Sequence, residues 1–537
     1  MRSKKPEGTE PGQTPPEGSV PALSPPRALL GLVACLAALA LTACASLEPR
    51  PELPMETAVP LGTGTTLDGL IADAEAQRPG ESGFRLVREG PEAFAIRSRT
   101  ALVAGRSLDV QTYIWHNDGT GSFLAARLLE AADRGVRVRL LVDDMDARGK
   151  NYSFAALDAH PNIAVRMFNP FSSRSGSLSL AFEALGSFDR INRRMHNKTW
   201  IADNRIAIVG GRNLGNEYFG ASDEVNFVDL DFAMVGPIVR DASASFDRYW
   251  NSPAAYPMAM LAPNAVSTDA LQSLRDKVAA QMPEATKSRF AEELRQSDSV
   301  QRLVAGDWPM HWSPNFRFVS DDPEKALGKS DGIAGSQVLA LLGPVTKASR
   351  TNLTIISPYF VPGEAGTAGL VNIDKSGSAV RVLTNSLAAN DVAMVYGGYS
   401  EWRKQLLQGG VELWELKPTP GSAVKTSMFG SSGASLHTKA LAVDSRIAFV
   451  GSYNLDPRST SLNCEQGIFV ESPAIATQLE EMFRTDSSGA RAWSVTLQDS
   501  KLQWSDGTKT YDSAPAASAG RKFQAWLARV LPITSQL

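Results

Sequence analysis

His196-Asn-Lys-Thr-Trp-Ile-Ala-Asp-Asn-Arg-Ile-Ala-Ile-Val-Gly-Gly-Arg-Asn213 is followed, much later in the chain, by His437-Thr-Lys-Ala-Leu-Ala-Val-Asp-Ser-Arg-Ile-Ala-Phe-Val-Gly-Ser-Tyr-Asn454. Both copies place Lys, Asp, Gly and Asn at the same distances from an opening histidine: Lys198, Asp203, Gly210 and Asn213 answer Lys439, Asp444, Gly451 and Asn454. The chain has only five histidines and commits two of them to this pattern. Glu224 and Glu465 each lie 28 residues beyond their histidine. One such match is unremarkable; two in register are a strong signal of a repeated functional unit.

Within each copy the apolar residues predict two short strands. They meet at Asp203-Asn204 in the first copy and at Asp444-Ser445 in the second. An aspartate at a tight turn has a local task, because its side chain accepts from backbone amides. Asp203 and Asp444 are therefore read as structural. Strand alternation puts His196 and Lys198 on one face. Asn213 follows Gly210-Gly211, where glycine allows close approach of a ligand.

The repeat extends outward. Leu108–Trp115 is an apolar strand answered by Leu353–Phe360, which pairs Tyr113 with Tyr359. Val136–Leu140 is answered by Ala379–Leu383, and Ile163–Phe168 by Val411–Leu416. Helical patterns such as Phe123–Arg134 separate them, so the repeat is a whole α/β domain. The expected divisions are a leader over 1–43 and a linker over 44–84, then a first half over 85–251 with its motif at about 190–217. A helical bridge over 252–330 follows, then a second half over 331–486 with its motif at about 431–458, and an extension over 487–537.

The first 27 residues are rich in Pro, Gly and Glu, and the apolar run Ala28–Leu41 has the length of a signal core. Leu41-Thr42-Ala43-Cys44 resembles a bacterial lipobox, which makes Cys44 the lipidation site of an envelope lipoprotein at the outer membrane or the periplasmic face. Beyond the leader's Cys35 and Cys44 only Cys464 remains, so the mature domain has no internal disulfide, and a lone Cys reads as packing. A net charge of −3 supplies no global field for nucleic acid.

Two His, two Lys and two Asn converging make a phosphate site. Lysine supplies charge and asparagine supplies amide donors. A neutral imidazole can attack phosphorus, and a protonated one can give its proton to the leaving oxygen. Each imidazole needs a carboxylate on its other nitrogen, and Glu224 and Glu465 are the candidates. No metal is demanded. Asp143, Asp144 and Asp146 read as an acidic turn after a buried strand, since no second cluster matches them.

The two copies resemble the HKD motifs of the phospholipase D superfamily. The resemblance covers most of residues 85–535 and implies two fused α/β halves, related by a pseudo-two-fold axis, with one shared site at their interface. It also implies a phosphohistidine intermediate, no metal and no cofactor. Carried over, His196, Lys198, Asn213, His437, Lys439 and Asn454 form the site, with His196 as nucleophile, His437 as general acid, and Glu224 and Glu465 orienting them. Arg193-Arg-Met-His-Asn-Lys198, Gly210-Gly-Arg-Asn213, Tyr113-Ile-Trp115 and the closing Trp526–Leu537 segment are similar to the bacterial cardiolipin synthase branch, its C type above all. That branch moves a phosphatidyl group from one phospholipid to the alcohol of another, which makes phosphatidylglycerol and phosphatidylethanolamine the expected partners, met at a membrane surface.

Three other readings stand beside it. Water as acceptor gives a hydrolase releasing phosphatidic acid. A nuclease of the same superfamily is disfavoured by charge and lipobox. A non-catalytic lipid-binding lipoprotein is disfavoured by two intact motifs. Phe523, Trp526, Leu527, Val530 and Leu531 form an apolar helical stripe flanked by Arg521, Lys522 and Arg529, which reads equally as membrane contact or as core packing. Leu178–Phe188 reads as an acyl entrance or as core. Arg193 and Arg194 read as a headgroup site or as a solvated face.

Overall fold

Strand alternation in this chain leaves apolar residues on both faces of the same strand. Trp200, Ala202, Ile206 and Ile208 enter one core, while Ile201, Ala207 and Val209 enter another. A sheet built from such strands must be covered on both sides. The computed structural model describes residues 47, 49–147, 150–172, 188–329, 335–418 and 435–530. Contacts divide the chain into Met1–Leu47 and Glu48–Leu537, and the second unit holds everything that follows. The leader, the lipobox, nearly all of Leu178–Phe188, and Leu531 lie outside the described residues.

The first sheet contains β1 (Ser82–Val87), β2 (Ser107–Thr112), β3 (Arg137–Asp143), β4 (Ile163–Phe168), β5 (Thr199–Ala202), β6 (Ile206–Gly210), β7 (Asp231–Val235), β8 (Ala255–Pro257) and β9 (His311–Ser313). The second contains β10 (Phe316–Ser320), β11 (Asn352–Ile356), β12 (Ala379–Asn385), β13 (Glu412–Leu416), β14 (Ala440–Val443), β15 (Ile447–Gly451), β16 (Gln466–Glu471), β17 (Ala492–Gln498), β18 (Lys501–Ser505) and β19 (Thr510–Tyr511). Their spatial orders are 8-4-3-2-5-6-7-1-9 and 10-16-15-14-11-12-13-17-18-19. Read in opposite directions, 4-3-2-5-6-7-1 and 13-12-11-14-15-16-10 are the same seven-stranded unit. In each, three parallel strands continue into antiparallel ones. This is the mixed α/β repeat that the sequence predicts.

The inward faces of both sheets share one apolar layer with helices Pro237–Asn251 and Pro473–Asp486. Ala207, Val209, Phe232 and Met234 meet Ala440, Ala442, Ala448, Val450 and Ile468 there, with Phe246 and Leu479 from the helices. The halves are thus fused through a core, and a cleft between them is fixed by packing.

Three expected divisions change. The stretch 44–84 holds helix Thr66–Ala76, capped by Thr65, and its earlier residues are tied to the first half through Arg50, Glu56 and Ala58. The bridge contains helices Thr268–Ala285, Arg289–Gln296 and Asp298–Ala305, but also β8, β9 and β10, and β10 belongs to the second sheet. The second sheet runs past residue 486 into β17–β19. Pro-rich sequence without apolar period reads as linker, yet its polar groups bind the folded half.

Candidate active site

Each motif's two strands turn through residues with positive φ: Asp203 (53°) with Asn204 (56°), and Asp444 (54°) with Ser445 (50°). Two such residues make the hairpin turn whose twist suits the strands it joins. The aspartate side chains hold the neighbouring strand more than their own turn. Asp203 accepts from the amides of Gly105, Arg106 and Ser107, and Asp444 from those of Arg350, Thr351 and Asn352. Burial pushes the Asp444 carboxyl up, but these amides outweigh it and bring it down to about 2. The contacts of both aspartates are thus to backbone of the neighbouring strand, where the sequence pointed to capping of their own turns.

The two histidines lie before their strands and are stitched to the opposite half. The His196 amide donates to the Cys464 carbonyl at 2.9 Å, and the Cys464 amide donates to the Arg194 carbonyl at 2.8 Å. On the other side the His437 amide donates to the Val228 carbonyl at 2.8 Å, and the Val228 amide donates to the Ser435 carbonyl at 2.9 Å. The next residue along each stitched segment is a carboxylate. Glu465 therefore meets His196 Nδ1 at 2.9 Å, and Asp229 meets His437 Nδ1 at 2.6 Å. Each histidine is oriented by the half to which it does not belong.

This overturns the expected role of Glu224, which is exposed, because Asp229 holds the Nδ1 of His437. The constant 28-residue offset misleads because the first copy's loop is longer. Aligning the strands that follow gives the right answer. Gly210 pairs with Asp231 in the first half and Gly451 with Gly467 in the second, so Asp229 and Glu465 are equivalent.

The carboxylates are supported differently. Glu465 receives the hydroxyls of Ser452 at 2.5 Å and Ser459 at 3.0 Å, and the Asn463 amide at 3.3 Å. Behind it the Asp321–Lys325 ion pair accepts the Glu465 amide and donates to the Ser459 carbonyl. Asp229 fits because Gly211 stands where the second half has Ser452: a Cβ on Gly211 would lie 2.2 Å from Asp229 Oδ1. The glycine therefore makes room for a carboxylate rather than for a ligand.

Lys198 and Lys439 converge on the histidines, and each Nζ donates to its own histidine's carbonyl at 2.6 Å. Burial pushes both ammonium groups down, Lys439 to about 8 and Lys198 well below the ordinary range, against the pull of Glu465 and Asp229. The histidines are 8% and 4% exposed. Burial lowers both, and the two lysines lower them further. For His437 this is opposed by Asp229. For His196 the leading influences all act downward, including His437 itself. Burial pushes the Asp229 carboxyl up, yet His437, Lys439 and Arg212 outweigh it and the net shift is downward; Glu465 is raised. A phosphate group placed among these cations would relieve their repulsion.

The asparagines differ from expectation. Asn213 Oδ1 accepts from the Ile114 amide at 3.1 Å, and its Nδ2 donates to the Tyr218 hydroxyl at 2.9 Å. It braces the site, and Tyr218 in turn packs edge-on to His437. Asn454 is buried with its Oδ1 unpaired among the described residues, the more open of the two. Phe227 stacks on His437 with ring centres 5.6 Å apart, and Tyr113 packs edge-on to His196 at 5.1 Å. Arg194 is neither a headgroup site nor a solvated face. It is buried against Asp143, which also accepts from the Met195 amide and so fixes the residues before His196. Cys464 is fully buried, consistent with packing.

A family model described as "Cardiolipin synthase, PLD-like domain" matches residues 100–250 and 345–487. The chain belongs to this family. Cardiolipin synthase C of Escherichia coli strain K12 is 39% identical over 470 residues, spanning 85% of this chain and 97% of that protein. A cardiolipin synthase of Oceanobacillus iheyensis is 24% identical over 432 residues, 80% of this chain and 74% of its own length. The crystal structure of phosphatidylserine synthase from Haemophilus influenzae covers 86% of this chain and 99% of its own, with a TM-score of 0.53 at 13% identity, a likeness of fold.

Proposed function

We propose that the protein is a phosphatidyltransferase that makes cardiolipin from phosphatidylglycerol and a second phospholipid. The observation that carries this is the crossed pairing: two buried histidines, each held at Nδ1 by a carboxylate of the other half, each with a buried lysine bonded to its carbonyl. Family membership supports the substrate class. With Nδ1 engaged, Nε2 is the nitrogen left for chemistry.

His196 Nε2 attacks phosphorus in the donor lipid. As that bond forms, the bond from phosphorus to the headgroup oxygen breaks, and His437 gives that oxygen its proton. The free alcohol leaves. A headgroup hydroxyl of phosphatidylglycerol, the acceptor, then loses its proton to His437 and attacks the phosphohistidine, which restores His196 and yields cardiolipin. Lys198 and Lys439 stabilise the charge on the equatorial oxygens. An asymmetry supports this division of roles. Burial lowers both histidines, but Asp229 at 2.6 Å opposes the shift at His437, whereas the leading influences on His196 all act downward.

The lipobox-like Leu41-Thr42-Ala43-Cys44 supports attachment through Cys44 to the outer membrane or the periplasmic face. Among the described residues no helix is long and apolar enough to cross a membrane. The test is trapping the intermediate. Acid-labile phosphatidyl label should appear on wild-type protein and be absent from His196→Ala; label retained in His196→Ala rules out its role as nucleophile.

A further inference from the structure

The C-terminal helix, Ala519–Val530, packs on helix Ala393–Gln408 through its smallest side chains. Ala525 and Ala528 are buried, and a Cβ on Gly397 would lie 2.4 Å from the Ala525 carbonyl. The helix is thus seated by its alanine face, and its large apolar residues turn outward. Phe523 is 60% exposed and Trp526 54% exposed, their rings stacked at 5.7 Å. Packing is thus carried by alanines outside the apolar stripe, and the stripe's two aromatic residues are left exposed.

The charge around the pair is one-sided. Residues 513–537 contain Arg521, Lys522 and Arg529 and no Asp or Glu, in a chain whose net charge is −3. Lys522 and Arg529 are exposed beside the aromatic rings. The helix is also tied to the cleft. Arg521 Nε donates to the Leu387 carbonyl at 2.9 Å. Two residues on, the Ala389 carbonyl accepts from the amide of Ser435, the residue two before His437. Asp391 of the same loop accepts from the Tyr359 hydroxyl at 2.7 Å.

We propose that Phe523 and Trp526, with Lys522 and Arg529, dock the protein on an anionic phospholipid bilayer and so present the His196–His437 cleft to the lipid surface. The proposal rests on the functional reading above only for the lipid nature of the substrate. Aromatic rings fringed by cations suit the boundary between headgroups and acyl chains. A protein partner suits it less: two aromatic side chains bury roughly 300–500 Å² at most, well below the about 800 Å² per partner of a stable interface. The cationic fringe also opposes a second copy, which would bring the same charges.

The test uses the full chain on phosphatidylglycerol vesicles doped with a brominated phosphatidylglycerol that quenches tryptophan. The chain has ten tryptophans, so Trp526 is read as the difference between wild type and Trp526→Phe. A quenched component that Trp526→Phe removes, and that Lys522→Ala/Arg529→Ala weakens, is expected. Identical quenching in wild type and Trp526→Phe overturns the proposal. Turnover gives the second readout. Phe523→Ser/Trp526→Ser should lose at least fivefold on vesicles and stay within twofold on monomeric dihexanoyl phosphatidylglycerol. Equal loss on both substrates makes the pair structural, and no loss on either makes it idle; each overturns the proposal. A change in oligomeric state by light scattering without change in quenching would assign the face to a second copy instead. Absence of wild-type turnover on either lipid would defeat the functional reading and leave the quenching test intact.

Discussion

Replacing Asp229 with asparagine should cripple the enzyme without unfolding it, while Glu224→Gln should do nothing. Asp229 is fully buried and its Oδ2 lies 2.6 Å from His437 Nδ1. Asparagine keeps the shape, so it fits beside Gly211 as aspartate does. The loss has two parts. A hydrogen bond to a charged group contributes about 1.5–3 kcal/mol, or roughly a 10- to 150-fold change in rate at about 1.4 kcal/mol per decade. An amide can also donate to Nδ1 and impose the tautomer that leaves Nε2 protonated at the wrong stage; the same exchange in a Ser-His-Asp triad costs about 10⁴ in kcat. The expected loss is therefore about 10²–10⁴ in kcat, with KM little changed. The assay follows cardiolipin formed from phosphatidylglycerol in mixed micelles by mass spectrometry, with the melting temperature as control. Asp229→Asn retaining more than a tenth of wild-type turnover, or Glu224→Gln falling more than threefold, would refute the crossed pairing.

The remaining predictions concern the second carboxylate, the turns, the proton and the anchor. Ser452→Ala removes one of the three donors that support Glu465 besides His196 and should lower kcat by roughly 10- to 150-fold, the value of one hydrogen bond to a charged group; an unchanged rate contradicts it. Asp444→Asn should cost about 1–2 kcal/mol of stability at neutral pH, since a carboxyl held at about 2 is stabilising above its unfolded pKa and loses that contribution as pH falls through about 2, with solvent reducing the effect. Denaturant melts should show the gap from wild type closing between pH 5 and pH 2; a pure rate defect at unchanged stability would show the aspartate to be catalytic. Asp229 supports the proton on His437, so its removal lowers that pKa further, and the alkaline limb of kcat/KM should move to lower pH in Asp229→Asn; a move to higher pH reverses the assigned role. Cys44→Ser should remove the lipid from the mature chain, seen as a missing mass in whole-protein mass spectrometry; an identical mass in wild type excludes lipidation at that position.

The fold was legible because each strand carries its own evidence. Alternation through Trp200–Ala202 and Ile206–Val209 predicts strands apolar on both faces, and the second copy repeats the order, so two covered sheets follow. The histidines and lysines were equally legible from their repeated spacing, although they lie just before β5 and β14 rather than in them, so strand alternation is not what places them. The orienting carboxylate of His437 was not. It lies across the interface, and a spacing counted from the histidine gives no account of a longer loop between Asn213 and Asp229. The strand after the loop keeps the register that the loop loses, because backbone pairing with β6 fixes it. The glycines were misread for a related reason: close approach was foreseen at Gly211, but the partner is the enzyme's own Asp229. The C-terminal helix defeats a simple stripe because its packing face is made of alanines, whose small size sequence patterning counts as weakly apolar.

The central claim is transfer of a phosphatidyl group by two histidines that share one cleft. It is tested most directly by giving purified protein phosphatidylglycerol labelled in its acyl chains, with and without phosphatidylethanolamine, and identifying the products by mass spectrometry. The account predicts labelled cardiolipin, one headgroup alcohol released per cardiolipin formed, and neither product from His196→Ala or His437→Ala. Labelled phosphatidic acid as the sole product, or cardiolipin formed undiminished by either histidine variant, would contradict it.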